Sequence, residues 1–150
     1  MGKSFSMFYS DTDILEAMEL GVIEIDPYDE GQLGPNSYDV RLGNWFYEVF
    51  WDSSDPYFVG PIWHDDGQQV EIPYGGTLLG MTKERIIVNS SKILGLMKTR
   101  SSIRRIGLDV CMSAGLGDVG YSDYWTMELS AIVRDSGRLW SKAKRGLLTV

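Results

Sequence analysis

The segment KTRSSIRRIGLDV, residues 98–110, crowds Lys98, Arg100, Arg104 and Arg105 together with the hydroxyls of Ser101 and Ser102. Guanidinium forks and the first amides of a short helical turn both favour an anion, so this combination suits phosphate groups. A serine-capped surface turn with solvated arginines is the plainer reading of the same residues. Further along, AGLGDVGY sets Asp118 among Gly115, Gly117 and Gly120, which lets backbone come close to a ligand. An ordinary turn is the alternative. The stretch YWTMELSAIV then alternates as a strand, with Trp125, Met127 and Leu129 on one face and Thr126, Glu128 and Ser130 on the other. Glu128 is thereby either a solvated surface carboxylate or a group available for proton transfer.

Several familiar chemistries are excluded by what the chain lacks. A zinc nucleobase deaminase needs a His or Cys in H-x-E spacing and two further cysteines in P-C-x-x-C. This chain has one histidine, His64, and one cysteine, Cys111, far apart and in neither pattern. No P-loop is present, a Ser-His-Asp triad would rest on His64 alone, and no G-x-G-x-x-G follows a strand pattern. Cys111, flanked by Val110 and Met112, reads as an inert thiol on a buried strand. His64, in PIWHDDG, reads as a surface loop residue.

The elements that must position these segments follow from the rest of the pattern. Ser10–Gly21 reads as a helix: Ser10 or Asp11 caps its start, Ile14, Leu15 and Met18 form an apolar stripe, and Gly21 stops it. After it come short runs of aromatic and β-branched residues: VIEI, SYDVRL, WFYEVF, QQVEI, TLLGM, RIIV, ILGLM, LDVCM and WTMELSAIV. Turn residues such as GPNS, PYGG and VNSSK separate them. Many short strands with one N-terminal helix imply a mainly β fold, a sandwich, jelly roll or barrel. Arg100–Ile106 reads as a brief helical turn between two strands, capped by Ser101 or Ser102.

The chain is 150 residues long with 43% hydrophobic and 23% charged residues, ordinary globular composition, and a single domain over residues 1–150 is expected. No apolar run approaches the roughly 18 residues of a membrane span, and the opening MGKSFSMFYS lacks the pattern of a secretory signal. A cytoplasmic setting is expected, with no membrane partner. The net charge of −7 argues against nonspecific nucleic-acid binding. Residues 1–60 hold twelve acids against only Lys3 and Arg41, whereas four cations fall within residues 98–105. Such a small basic island suits a compact polyanion.

Taken together, SDTDILEAMELGVIEIDP, PNSYDVRLG, R-S-S-x-x-R-x-G-L, A-G-x-x-D-x-G-Y and T-x-E-L, covering most of residues 10–130, resemble the dCTP deaminase family of the trimeric dUTPase superfamily. The resemblance implies a distorted β-barrel or jelly roll and a homotrimer whose active sites are shared between neighbouring chains. It places Arg100, Ser101 and Ser102 against substrate and makes Arg105 the motif's second arginine. Ala114 becomes the residue whose carbonyl holds the attacking water, and Asp118 the acid at the deoxyribose. Tyr121 becomes the aromatic that packs on the sugar and disfavours ribonucleotides, and Glu128 the catalytic carboxylate. Glu128, Arg105, Ser101 and Ala114 are thus the expected catalytic set, and Arg100, Ser102, Asp118 and Tyr121 the expected binding set. Magnesium is expected to arrive with the substrate triphosphate, with no zinc and no protein metal ligand.

By the same resemblance the leading activity is hydrolytic deamination of dCTP to dUTP and ammonia. The alternatives are dUTP diphosphatase, with Asp118 activating water toward the α-phosphate, a bifunctional enzyme taking dCTP to dUMP, and a non-catalytic nucleotide-binding trimer. The chain departs from the family in three places: Gly117 stands where an apolar β-branched residue is usual, Asp123 replaces a glycine, and residues 131–150 have no family counterpart. Lys142, Lys144 and Arg145 in that last stretch are candidate phosphate contacts.

Overall fold

The computed structural model describes residues 8–52, 55–72, 76–132 and 148–149. Helix α1 runs Asp11–Glu19. Ser10 caps it in a reciprocal capping box with Asp13, whose carboxylate accepts the Ser10 amide while the Ser10 hydroxyl accepts the Asp13 amide. Its end is a Schellman turn: Gly21, at φ 66°, donates to Met18 O, and Val22 donates to Ala17 O. The buried face is Ile14 and Ala17, while Leu15, expected on the apolar stripe, is exposed.

The strands are β1 (Ile23–Asp26), β2 (Leu33–Gly34), β3 (Ser37–Tyr38), β4 (Leu42–Asp52), β5 (Asp55–Trp63), β6 (Gln69–Val70), β7 (Thr77–Val88), β8 (Gly95–Leu96), β9 (Leu108–Asp109), β10 (Leu116–Gly117), β11 (Ser122–Ala131) and β12 (Leu148–Thr149). Helix α2, Ser101–Arg105, is the only other α-helix among the described residues. One six-stranded sheet has the order β5-β4-β7-β11-β9, with β1 also paired to β7. The small ladders β8–β10, β6–β12 and β2–β3 lie outside it. This mainly β architecture agrees with the barrel or jelly-roll expectation. Among the described residues no helix is long and apolar enough to cross a membrane.

TLLGM and RIIV, expected as separate strands, form the single twelve-residue β7, the spine of the sheet. Its first half pairs with β4, its second half with β1, and its opposite edge with β11. Leu78, Gly80, Thr82 and Glu84 alternate inward along it. Strand β5 escaped the sequence pattern because Pro56, Gly60 and Pro61 interrupt it. It is the sheet's edge, and at Gly60, φ 152°, an added β-carbon would stand 2.7 Å from Phe46 O. The core gathers Phe46, Ile72, Leu108, Met127 and Leu129 around Trp125, with Phe46 wholly buried and Leu129 at 1% exposure. Each such side chain contributes about 1.5–3 kcal/mol by leaving water.

Two polar side chains sit in this interior because the ladder is broken beside them. Between Tyr124↔Arg85 and Thr126↔Met81 the register of β11 against β7 slips, leaving Thr82–Glu84 opposite Trp125 alone. Thr82 closes the gap: its hydroxyl accepts the Trp125 amide at 2.9 Å and donates to Glu84 O at 2.7 Å. The Glu84 carboxylate, fully buried, accepts the Arg41 amide at 2.8 Å and Arg41 Nε at 2.6 Å, and Arg41 reaches Asp29 at 3.2 Å. Thr82→Val keeps the shape of the side chain but strands a buried amide. The expected cost is about 1–3 kcal/mol in urea unfolding, and an unchanged midpoint would show that the bulge does not need the hydroxyl.

Candidate active site

Strand β11 carries Glu128. Trp125, Met127 and Leu129 point into the core at 8%, 4% and 1% exposure, so the two-residue period turns Glu128 outward, where it is half-buried opposite Leu79 of β7. The same strand end pairs with β9 through Ser130↔Asp109 and Ala131↔Leu108. Since β9 follows α2 directly, this pairing draws the arginine- and serine-rich segment toward the Glu128 end of the strand. An electrostatic link runs the same way. Burial pushes the Cys111 thiol up, Asp109 adds to the push, Lys98 opposes it and Glu128 reinforces it. Cys111 therefore lies in the fields of both segments. It is buried as expected, but in a bend after β9 rather than in a strand.

Helix α2 begins at Arg100, whose backbone is the N-cap, and no side chain caps it. The expected serine cap is absent, and Ser101 and Ser102 expose their hydroxyls to solvent. Gly107, at φ 85°, ends the turn and donates to Arg104 O. A clasp closes the base of this excursion: the Thr99 hydroxyl donates to Asp109 Oδ1 at 2.5 Å and accepts the Val110 amide at 3.1 Å. Arg104 approaches Asp109 at 3.8 Å, and Arg100 approaches Asp39 at 3.1 Å. Arg105 and Lys98 have no ion-pair partner among the described residues.

The glycine-rich loop is pinned differently. Ala114 donates to Cys111 O at 2.8 Å across a turn in which Met112 adopts φ 41°, a region that non-glycine residues rarely occupy. Gly115 O accepts the Met97 amide, and β10 pairs with β8 as Leu116↔Leu96 and Gly117↔Gly95. Asp118 O accepts the Tyr121 amide at 3.0 Å over Gly120, φ 81°, a turn that calls for glycine at that place. Asp118 and Ala114 are exposed and Tyr121 is half-buried. Burial, then the nearby Asp123, pushes the Tyr121 phenol up.

Within one chain these segments approach without closing. Glu128 and Arg105 share no hydrogen bond or ion pair, so these two members of the expected catalytic set are not joined inside a single chain. Sequence reasoning also missed the Thr99–Asp109 clasp and the contact between Trp125 and two glycines. The available signal was Gly117 itself, a missing side chain eight positions before the largest residue of the strand. His64, expected as a surface loop residue, is half-buried with its ring edge-on to Phe46. Lys142, Lys144 and Arg145 lie outside the described residues.

Asp109 makes the clasp pH-sensitive. Burial alone raises its carboxyl, but the Thr99 hydroxyl, the Val110 amide and the Arg104 charge outweigh burial and hold it below the ordinary value. A carboxyl depressed in the folded chain stabilises it above the unfolded value, near pH 4, and that contribution disappears as pH falls through the folded value. Asp109→Asn is expected to lower stability by a constant amount above about pH 5, where the carboxyl is ionised in both states, and to converge with the parent as pH falls through the folded value. Urea unfolding across that range checks it, and a difference that grows toward acid would reverse the assignment.

Comparison with known proteins matches this geometry to one family. The dCTP deaminase-like family model covers residues 8–136. A relative from Clostridium beijerinckii named "dCTP deaminase, dUMP-forming" is 33% identical over 84% of this chain and 72% of its own length. Another of the same name from Corynebacterium diphtheriae is 34% identical over 96% of this chain and 81% of its own. In fold, the chain is similar to the crystal structure of 2'-deoxycytidine 5'-triphosphate deaminase from Agrobacterium tumefaciens, with a TM-score of 0.61 and 16% identity. That likeness covers 84% of this chain but 42% of the solved one. The chain belongs to the dCTP deaminase-like family, a family of nucleotide-hydrolysing enzymes.

Proposed function

We propose that the chain converts dCTP and two waters to dUMP, ammonia and pyrophosphate. The observation that carries this reading is the name shared by its relatives, dUMP-forming dCTP deaminase. It revises the leading expectation of dUTP as the released product and favours the bifunctional alternative.

The residues supply two carboxylates for the two hydrolyses. Glu128, half-buried beside a strand of core residues, takes a proton from the water that adds to C4 of cytosine and returns it to the departing amino group. Arg105 and Ser101 orient the carboxylate and the water, and the Ala114 carbonyl holds that water, so fixed dipoles do the polarising. Asp118, on the glycine-rich turn, contacts the deoxyribose and activates the second water toward the α-phosphate. Arg100, Ser102 and the neighbouring cations take the triphosphate with its magnesium. Tyr121 packs on the sugar face.

Three copies sharing sites complete the proposal. Among the described residues Glu128 and Arg105 have no side-chain hydrogen bond or ion pair, and the outer face of the β8–β10 ladder exposes Leu96 at 53% and Leu116 at 60% beside Leu94 at 50%. Paired apolar side chains of this kind suit contact with another chain.

A single incubation of dCTP with magnesium tests the reading. The expected products are ammonia, pyrophosphate and dUMP without accumulation of dUTP; accumulation of dUTP, or no turnover, contradicts it. Glu128→Gln is expected to slow ammonia release by about 10² to 10⁴ while dCTP affinity stays close to the parent's. Retained turnover in that variant would remove Glu128 from its role.

A further inference from the structure

We propose that Trp125 is a positioning residue for the sugar side of the site. Its indole, lying against the paired backbones of Gly95 and Gly117, sets where the Tyr121 ring stands and thereby how strongly a ribonucleotide is rejected. The proposal rests on the reading of Tyr121 given above and adds a residue that neither the motif pattern nor that reading includes.

The geometry is unusually tight. Gly95 and Gly117 are cross-strand partners in β8–β10, and their shared inner face carries the indole. A β-carbon at Gly95 would stand 2.5 Å from Trp125 Cζ2 and 2.7 Å from Cη2; at Gly117 the same atoms would be 2.5 and 2.6 Å away. No side chain fits at either position while the ring stays put. The far edge of the indole therefore touches bare backbone on a two-glycine floor. Trp125 is 8% exposed, and its Nε1 has no hydrogen-bond partner among the described residues. Ring orientation consequently depends on packing, whereas the backbone is anchored by the Thr82 hydroxyl at the bulge.

Tyr121 meets the indole edge to face, with ring centroids 5.4 Å apart and planes at 64°. Such pairs prefer this arrangement and lose it when either ring moves. The tyrosine's backbone is tied to Asp118 O and Val88 N, and its hydroxyl donates to Tyr124 O at 2.5 Å. Trp125 is thus the aromatic side chain against which the Tyr121 ring packs. Gly117 also directly precedes Asp118. Pushing the indole therefore moves two elements of the sugar site together: the tyrosine above it and the aspartate loop beside it. The chain thus combines glycine at both 95 and 117 with tryptophan at 125.

The test compares Trp125→Phe, Gly117→Ala, Gly95→Ala and the double variant Gly117→Ala/Trp125→Phe, after thermal unfolding confirms which are folded. Phenylalanine lacks the second ring that reaches the glycines. Alanine at either glycine instead pushes the intact indole, and Gly95→Ala does so without touching the neighbour of Asp118. Two readouts are taken: the ratio of kcat/KM for dCTP over CTP, and the ring-proton resonances of Tyr121. Each folded single variant is expected to lower the ratio about tenfold and to shift the Tyr121 resonances. The double variant, with room for the added methyl, should recover toward the parent in both. Folded single variants that lose activity on dCTP and CTP in proportion, leaving the ratio unchanged, overturn the proposal. If the parent itself turns over neither nucleotide, or does not prefer dCTP, the reading of the site fails instead. The Tyr121 resonances then decide the positional claim alone: unshifted in the single variants, they overturn it.

Discussion

A two-residue period along one strand is the constraint on which the site depends. Trp125, Met127 and Leu129 must enter the core together, because each is nearly fully buried and a slip of one position would expose all three. That requirement holds β11 in register on β7 and turns Glu128 to the opposite face. It also delivers Ser130 and Ala131 to β9, the strand into which the α2 segment leads. The geometry of the proposed site is in this sense a by-product of hydrophobic burial: the buried side chains of β11 decide which way Glu128 faces.

The bulge opposite Trp125 refines the same constraint. Three residues of β7 face one of β11, and the broken ladder is repaired by the Thr82 hydroxyl while Glu84 and Arg41 knit the neighbouring break between β4 and β7. Thr82 and Glu84 are tolerated inside because their side chains bond to the Trp125 amide, the Glu84 carbonyl and Arg41. The bulge allows a large indole to lie across the glycine pair of the β8–β10 ladder. In this way the fit of the indole against two glycines connects the interior to Tyr121, which packs on Trp125, and to Asp118, which follows Gly117.

Much of this was legible in the sequence, and the omissions have physical causes. Local signals were reliable: the Ser10 cap, the Gly21 stop, the alternation around Glu128 and the brief helix after Arg100 each arise from neighbours in the chain. The merger of TLLGM and RIIV into one strand was not legible, since Lys83 and Glu84 look like a polar interruption until Arg41 supplies the partner that lets Glu84 go inside. Strand β5 was hidden by its prolines and by Gly60, which are tolerated because the strand is an edge. The serine cap of α2 failed because Thr99 and Asp109, ten residues apart in the chain, hold the turn from its base instead. Motif resemblance named Arg105 and Glu128 together, but a single chain does not join them.

That last separation gives the proposed assembly its clearest test. Chains carrying Glu128→Gln and chains carrying Arg105→Ala are each expected to be inactive. Unfolded together in equal amounts and reassembled, they are expected to regain about a quarter of the parent activity, because random mixing gives that share of sites one intact residue from each of two chains. No recovery above the separate variants, with assembly confirmed by mass, would contradict a site in which the carboxylate of one chain works beside the guanidinium of its neighbour.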